Sequence, residues 1–249
     1  MNARVYLYGD EIKSIWCKCG RSESVLSSSC AQCQGTAERK LQNNVIRAKS
    51  RVTELALCNP WEYFVTLTVA DKSENGTEHD RSDLDAYVKA LGQWISHFNR
   101  KYGASLKYIL IPEEHKAGGW HMHGLLHDIP DAALTKNEHG YLDVPFYRAR
   151  FGWVSLSAIR DKKRCARYIT KYVTKTFLDV GSRSGDVGKH LFYASHGLKG
   201  RVLLGEYDIP IPSDAYTNDY CYIKWYRPDE NIVDRWGEVI DTTPPTMNT

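Results

Sequence analysis

Trp120-His121-Met122-His123-Gly124-Leu125 is the stretch on which the reading of this chain turns. Its residues suit a β-strand. Residues two apart on a strand share a face, so His121 and His123 present two imidazoles side by side. The turn-rich Lys116-Ala117-Gly118-Gly119 precedes it, and Leu106 to Ile111 before that reads as another strand, so the pair predicts a hairpin. The far end of the first strand carries Glu113 and Glu114. Adjacent strand residues point to opposite faces, so one of the two joins the histidines unless a bulge intervenes. Two imidazoles and a carboxylate, with positions left open, suit a divalent ion that must still bind a substrate oxygen. Mn²⁺, Mg²⁺ with its waters and Zn²⁺ all fit that donor set. The plainer alternative is two exposed strand histidines without a ligand.

Outward from this hairpin, Tyr63 to Val69 alternates: Tyr63, Val65, Leu67 and Val69 on one face, Phe64, Thr66 and Thr68 on the other. A helix follows, with Ser82 as its cap and Leu84, Tyr87, Leu91, Trp94 and Phe98 at helical spacing, amphipathic enough to cover a sheet. Gly152 to Ala158 and Leu191 to Ser195 read as further strands, and Arg160 to Phe177 as a second helix. Thr36 to Leu57 is a basic, helix-like stretch that Asn59-Pro60 ends. Strands and helices mix without a βαβ rhythm. The expectation is an α+β fold, a central antiparallel sheet of about five strands with helices on one face.

The second helix holds two Tyr-x-x-Lys units, Tyr168 with Lys171 and Tyr172 with Lys175. The tyrosines are four apart and share a helix face. Lys162, Lys163, Arg164 and Arg167 load the same helix with positive charge near its start, where cations oppose the helix dipole. Helix stability does not explain that loading; a bound phosphate does. A tyrosine hydroxyl is also a nucleophile once activated. The competing reading places both tyrosines in an apolar stripe with Ile169, Val173 and Phe177.

The chain has 249 residues, 42% hydrophobic and 25% charged, and a net charge of only +3. No apolar run approaches the roughly 20 residues of a membrane span, and the start lacks the apolar core of a secretory signal. These features predict a cytoplasmic protein with no membrane partner. The small net charge is a sum over unlike parts. Residues 160–175 hold seven bases against one acid, and residues 206–249 hold nine acids against three bases. A basic body with an acidic, aromatic-rich tail keeps nucleic acid in view as a partner. Gly188-Lys189 does not open a phosphate loop, because Arg183 and His190 occupy the positions that need Gly and Ser or Thr.

Four of the seven cysteines cluster as Cys17-x-Cys19 and Cys30-x-x-Cys33 around a polar loop that has no core of its own. Four thiolates predict a structural Zn²⁺ site; reducible disulfides or free thiols are the alternative. Three parts follow: a zinc segment and basic linker at 1–50, a catalytic domain at 51–205, and an acidic extension at 206–249.

In order and content these motifs resemble the HUH endonucleases, the rolling-circle replication initiators (Rep proteins) and their relatives, over about residues 60–205. The family's first motif is a strand ending in Thr-Leu-Thr, similar to Phe64-Val65-Thr66-Leu67-Thr68. Its second is a His-hydrophobic-His strand, similar to His121-Met122-His123. Its third is a helix with Tyr-x-x-Lys or two tyrosines, similar to Tyr168 through Lys175. Tyr108-Ile109-Leu110-Ile111-Pro112-Glu113 and Phe192-Tyr193-Ala194-Ser195 resemble Rep proteins of small single-stranded DNA phages, prophages and plasmids. The resemblance implies a nickase of single-stranded origin DNA in a bacterial cytoplasm. Mn²⁺ or Mg²⁺ on His121, His123 and Glu113 (Glu114 in some relatives) polarises the scissile phosphate. Tyr168 or Tyr172 attacks phosphorus, leaving a 5′-phosphotyrosine and a free 3′-hydroxyl, and strands are rejoined at termination. Helicase and polymerase are expected to be separate host or phage proteins. A single-tyrosine transposase is the near alternative. A non-catalytic zinc-containing nucleic-acid-binding protein and a metallohydrolase using bound water are the distant ones.

Overall fold

A computed structural model describes residues 2–18, 37–115, 118–178, 190–218, 220–227 and 230–243. In chain order its elements are β1 (Ala3–Tyr8), β2 (Glu11–Cys17), α1 (Ala37–Cys58), β3 (Tyr63–Thr68), α2 (Leu84–Tyr102), β4 (Lys107–Glu114), β5 (Trp120–His127), β6 (Thr135–Lys136), β7 (Leu142–Asp143), α3 (Pro145–Arg148), β8 (Val154–Ala158), α4 (Lys162–Leu178), β9 (Tyr193–Ala194), β10 (Val202–Tyr207), β11 (Tyr216–Thr217) and β12 (Cys221–Tyr226). They divide into two units. One is 36–198; the other joins 1–35 to 199–249.

The 36–198 unit is built on an antiparallel sheet of five strands in the order β8-β3-β5-β4-β9. This is the α+β arrangement the strand alternation predicts. The pleat sorts side chains by parity. Val65, Leu67, Leu110, Met122, Leu126 and Leu156 face the α2 side and form the core there with Leu91, Trp94, Phe98, Tyr147 and Phe151. The opposite parity carries Phe64, Thr66, Thr68, Glu113, His121 and His123, and α4 lies across that face. The helices therefore cover both faces, where the sequence reading put them on one. α1 packs along α4. Its buried Val45, Ala48, Val52, Leu55 and Ala56 recur three or four residues apart, as do Ala166, Ile169 and Val173 of α4. Such stripes are what one helix needs to seat against another.

The helix boundaries have local causes. Asp83 caps α2: its Oδ1 accepts from the Ala86 amide at 2.9 Å. Ser82, the expected cap, instead donates from both its amide and its hydroxyl to Asp80 Oδ1 at 2.9 and 2.6 Å. Gly103, at φ 61°, ends the helix in the left-handed region that favours glycine.

The second unit is also a five-stranded sheet, in the order β10-β1-β2-β12-β11. Its inner face buries Ala3, Val5 and Trp16 with Ile209, Tyr226, Ile232 and Ile240, and Trp16 Nε1 donates to the Ile209 carbonyl at 2.9 Å. The sequence reading made the two chain ends separate appendages, one at 1–50 and one at 206–249. Instead β1 pairs with β10 and β2 with β12, so the acidic tail contributes strands to a shared sheet. Cys17 ends β2 and faces Cys221 of β12; both are free thiols. Cys19, Cys30 and Cys33, the other members of the expected zinc set, lie outside the described residues, as does the 179–189 glycine-serine stretch.

Gly124 fixes how closely the central strands approach. It stands between Val65 of β3 and Leu110 of β4, and a Cβ there would overlap the Ile109 carbonyl oxygen and lie 2.6 Å from Leu110 Cδ2. The overlapping atom is backbone, so only a shift of the strand relieves it. Gly124→Ala is expected to lower stability by about 2 kcal/mol or more. The measurement is the midpoint of urea unfolding followed by tryptophan fluorescence; an unchanged midpoint contradicts the close-approach argument.

Candidate active site

Three strands and one helix bring the predicted residues together. In the ladder Thr68 stands opposite His121 and Thr66 opposite His123 on one side, and Glu113 stands opposite His121 on the other. The Thr66 and Thr68 hydroxyls each lie 3.1 Å from Nδ1 of the histidine they face. A hydroxyl can donate or accept, so it serves either tautomer of the ring while holding its orientation. Nε2 is then the nitrogen each ring offers to the site. His123 Nε2 lies 2.5 Å from Glu113 Oε2, and the ammonium of Lys175 binds Glu113 Oε1. Glu113 is 8% exposed. Glu114 lies on the opposite parity, facing Trp120 in the ladder.

Helix α4 places both tyrosines over this face. The Tyr172 ring stacks on His123 with centroids 4.0 Å apart and planes 18° apart. Tyr172 donates from its hydroxyl to the Tyr168 hydroxyl at 2.9 Å, and Phe64 packs against both rings. Tyr168 is 46% exposed, so the apolar-stripe reading fails for it. The buried stripe is Ala166, Ile169 and Val173, one position round the helix. Lys171 lies 5.7 Å from the centre of the Tyr168 ring. Of the four bases expected to meet phosphate, Arg164 and Arg167 are exposed and lie on the Tyr168 side with Lys171 and Lys175. Lys163 is half-buried. Lys162 is turned to the protein, donating to the Leu57 carbonyl at the end of α1 at 3.5 Å. Asp161 caps α4, accepting from the Arg164 amide at 2.9 Å.

The electrostatics of the group follow from its partial burial. Burial pushes His121 and His123 below the ordinary histidine range; His115 adds to this for His121, and Glu113 opposes it for His123. Burial alone would raise the Glu113 carboxyl. The hydrogen bond from Lys175 and the charge of His123 outweigh it and hold the carboxyl below its usual range. Burial, then the hydrogen bond with Tyr168, push the Tyr172 hydroxyl up. At neutral pH the group is two neutral imidazoles, a carboxylate and an ammonium.

Among the described residues no three His, Cys, Asp or Glu side chains are gathered around one point as a ligand set. His121 leans toward His115, with ring centres 5.4 Å apart, while Glu113 is turned to His123 and Lys175. The donor chemistry still fits a divalent ion: two imidazoles held through Nδ1 and one carboxylate share a sheet face, and side-chain rotation alone joins them. The role of the threonines was not assigned from sequence. The β3 alternation places them on one face, but their partners depend on strand pairing. His115 had no signal at all.

The histidine shifts have a consequence for stability. A buried histidine with a depressed folded value binds fewer protons than the unfolded chain below about pH 6.5, and Glu113 adds the same sign at lower pH. Stability is thus fully present above that value and is lost as pH falls. The melting temperature is expected to fall between about pH 7.5 and about pH 5, with a shallower slope in the His121→Asn/His123→Asn variant. Parallel slopes for variant and parent count against the assignment.

Residues 62–177, a little under half of the chain, match the family described as replication-associated protein ORF2. No curated protein and no solved structure matches the chain. No helix among the described residues is long and apolar enough to cross a membrane. The matched segment runs from the start of β3 to the end of α4 and contains Glu113, His121, His123, Tyr168, Lys171, Tyr172 and Lys175, so every proposed active-site residue lies in the part of the chain similar to that replication-associated family.

Proposed function

We propose that the protein is a replication initiator that nicks single-stranded origin DNA by tyrosine attack, as an HUH-type endonuclease. The observation that carries the reading is the stacking of Tyr172 on His123, hydroxyl to hydroxyl with an exposed Tyr168, beside the Glu113–Lys175 pair. A nucleophile pair, a candidate metal ligand set and a row of exposed bases occur nowhere else together among the described residues.

His121, His123 and Glu113 are the residues that would hold Mn²⁺ or Mg²⁺. When bound, such an ion polarises a non-bridging oxygen of the scissile phosphate. Thr66 and Thr68 keep the two rings aimed. Arg164, Arg167 and Lys171 bind flanking phosphates along α4. Tyr168 is the first attacker: its ring is exposed, and its oxygen accepts a hydrogen bond from Tyr172 that stabilises the developing phenolate. The O–P bond forms as the bond to the 3′ oxygen of the preceding nucleotide breaks. The departing oxygen takes up a proton, and Lys175 is placed to deliver one. The products are a 5′-phosphotyrosine and a 3′-hydroxyl that a separate polymerase extends, and Tyr172 takes the second strand transfer at termination. A separate helicase opens the duplex. The cytoplasm of a bacterial host is the compartment where these partners meet.

The test is to incubate the protein with labelled single-stranded origin DNA and Mn²⁺ and resolve the products on a denaturing gel. A covalent adduct is expected, abolished by EDTA. Tyr168→Phe is expected to lower its rate about a thousandfold or more. Tyr172→Phe should lower it about tenfold, the scale of one lost hydrogen bond. His123→Ala should retain DNA binding and lose cleavage. Cleavage without an adduct indicates water as nucleophile, and binding without cleavage indicates a non-catalytic DNA-binding protein.

A further inference from the structure

The outer face of the terminal sheet carries an arrangement that the proposed cleavage site does not use. Tyr6, Lys13 and Trp225 stand in one row across β1, β2 and β12. Lys13 Nζ lies 4.9 Å from the Trp225 ring centre, and the Arg201 guanidinium lies 4.2 Å from the Tyr6 ring. Arg201 also donates to the buried Tyr8 hydroxyl at 2.8 Å, which fixes its plane. Trp225 is 38% exposed. Rings and cations thus alternate along a flat, twisted strand surface.

Charge is sorted between the two faces. The unit is acidic as a whole, nine bases against twelve acids in 1–35 and 199–249. Yet Asp214 and Glu230 bind Lys224, whose side chain lies on the inner face with Ser14 and Trp16. Asp208 binds Arg235 in the segment that closes over that inner core. On the outer face Glu206 is bound to Arg4 at 2.8 Å. Lys13 and Arg201 sit among rings.

We infer that this face is a second binding surface for single-stranded DNA, with bases stacked on Tyr6 and Trp225 and phosphates at Lys13 and Arg201. Interleaved aromatics and cations are what sequence-tolerant single-strand binding uses: every base has a face to stack, and every nucleotide a phosphate to neutralise. Duplex DNA keeps its bases stacked on each other and gains nothing from the rings. The inference goes beyond the nicking reaction and does not depend on it.

The test uses the full chain, EDTA to silence cleavage, and a fluorescein-labelled thymidine oligonucleotide of about 30 residues read by anisotropy. The double variant Lys13→Gln/Trp225→Leu is expected to bind about tenfold more weakly, the loss of one stacked base. Its affinity for a duplex of equal length should be unchanged. Trp225→Phe, which keeps a ring, should bind within about twofold of the parent. Photocrosslinks to the oligonucleotide should map to residues 2–18 and 220–227. Parental affinity in the double variant, equal losses on single strand and duplex, or crosslinks confined to 162–175 each overturn the inference. Should the double variant lose its circular dichroism, the Trp225→Phe affinity and the crosslink map decide. Loss of the covalent adduct elsewhere in the molecule leaves all these readouts unaffected.

Discussion

The register of β4, β5 and β3 is the constraint on which the candidate site depends. A strand alternates its side chains, so a slip of one residue carries a whole row to the other face. At the observed register the same slip would send His121 and His123 into the α2 core and Met122 out of it. The apolar side therefore specifies the polar side. Met122, Leu110 and Leu67 are buried with large losses of apolar surface, each side chain contributing on the order of 1.5–3 kcal/mol. That burial aims two imidazoles and a carboxylate at solvent without any of them having to stabilise the fold. Gly124 lets the ladder close tightly enough for both threonines to reach their histidines.

The second layer of the site is electrostatic. Glu113 is a nearly buried carboxylate, which is costly unless paired. It has a partner from each side: an imidazole from β5 and an ammonium from α4. Lys175 therefore ties the helix carrying the tyrosines to the strand carrying the carboxylate. The same contact couples the position of the nucleophile to the charge state of the would-be ligand. A divalent ion arriving at Glu113 competes with Lys175 for the carboxylate, so loading the site also frees an ammonium next to the tyrosines.

Much of this was legible in the sequence, and what was not has identifiable causes. The strand Tyr63 to Val69, the histidine strand and α4 are long, periodic segments whose pattern survives any tertiary context. The side of the helix that packs was misjudged because Ala166 is a weak hydrophobic signal and Tyr168 a strong one. The α2 cap fell one residue late because Asp80 captures Ser82. Glu113 over Glu114 needed the strand parity fixed by pairing. The terminal sheet was invisible for a different reason. Ala3-Arg4-Val5-Tyr6-Leu7 alternates and Gly9-Asp10 makes a tight turn, but the strands that complete it lie about 200 positions away.

That separation bears on the order in which the protein can be built. The β1–β2 hairpin leaves the ribosome first, and two strands alone are at best marginally stable in water. Its neighbours β10 and β12 are synthesised only after the whole of 36–198. The unit bearing the candidate active site has all its strands and helices by residue 198 and can fold while the first hairpin still waits with both edges open. The last strand to emerge is thus the one that closes the first, and a chain stalled or clipped before Cys221 would carry a complete nicking unit tethered to an unpaired, aggregation-prone edge.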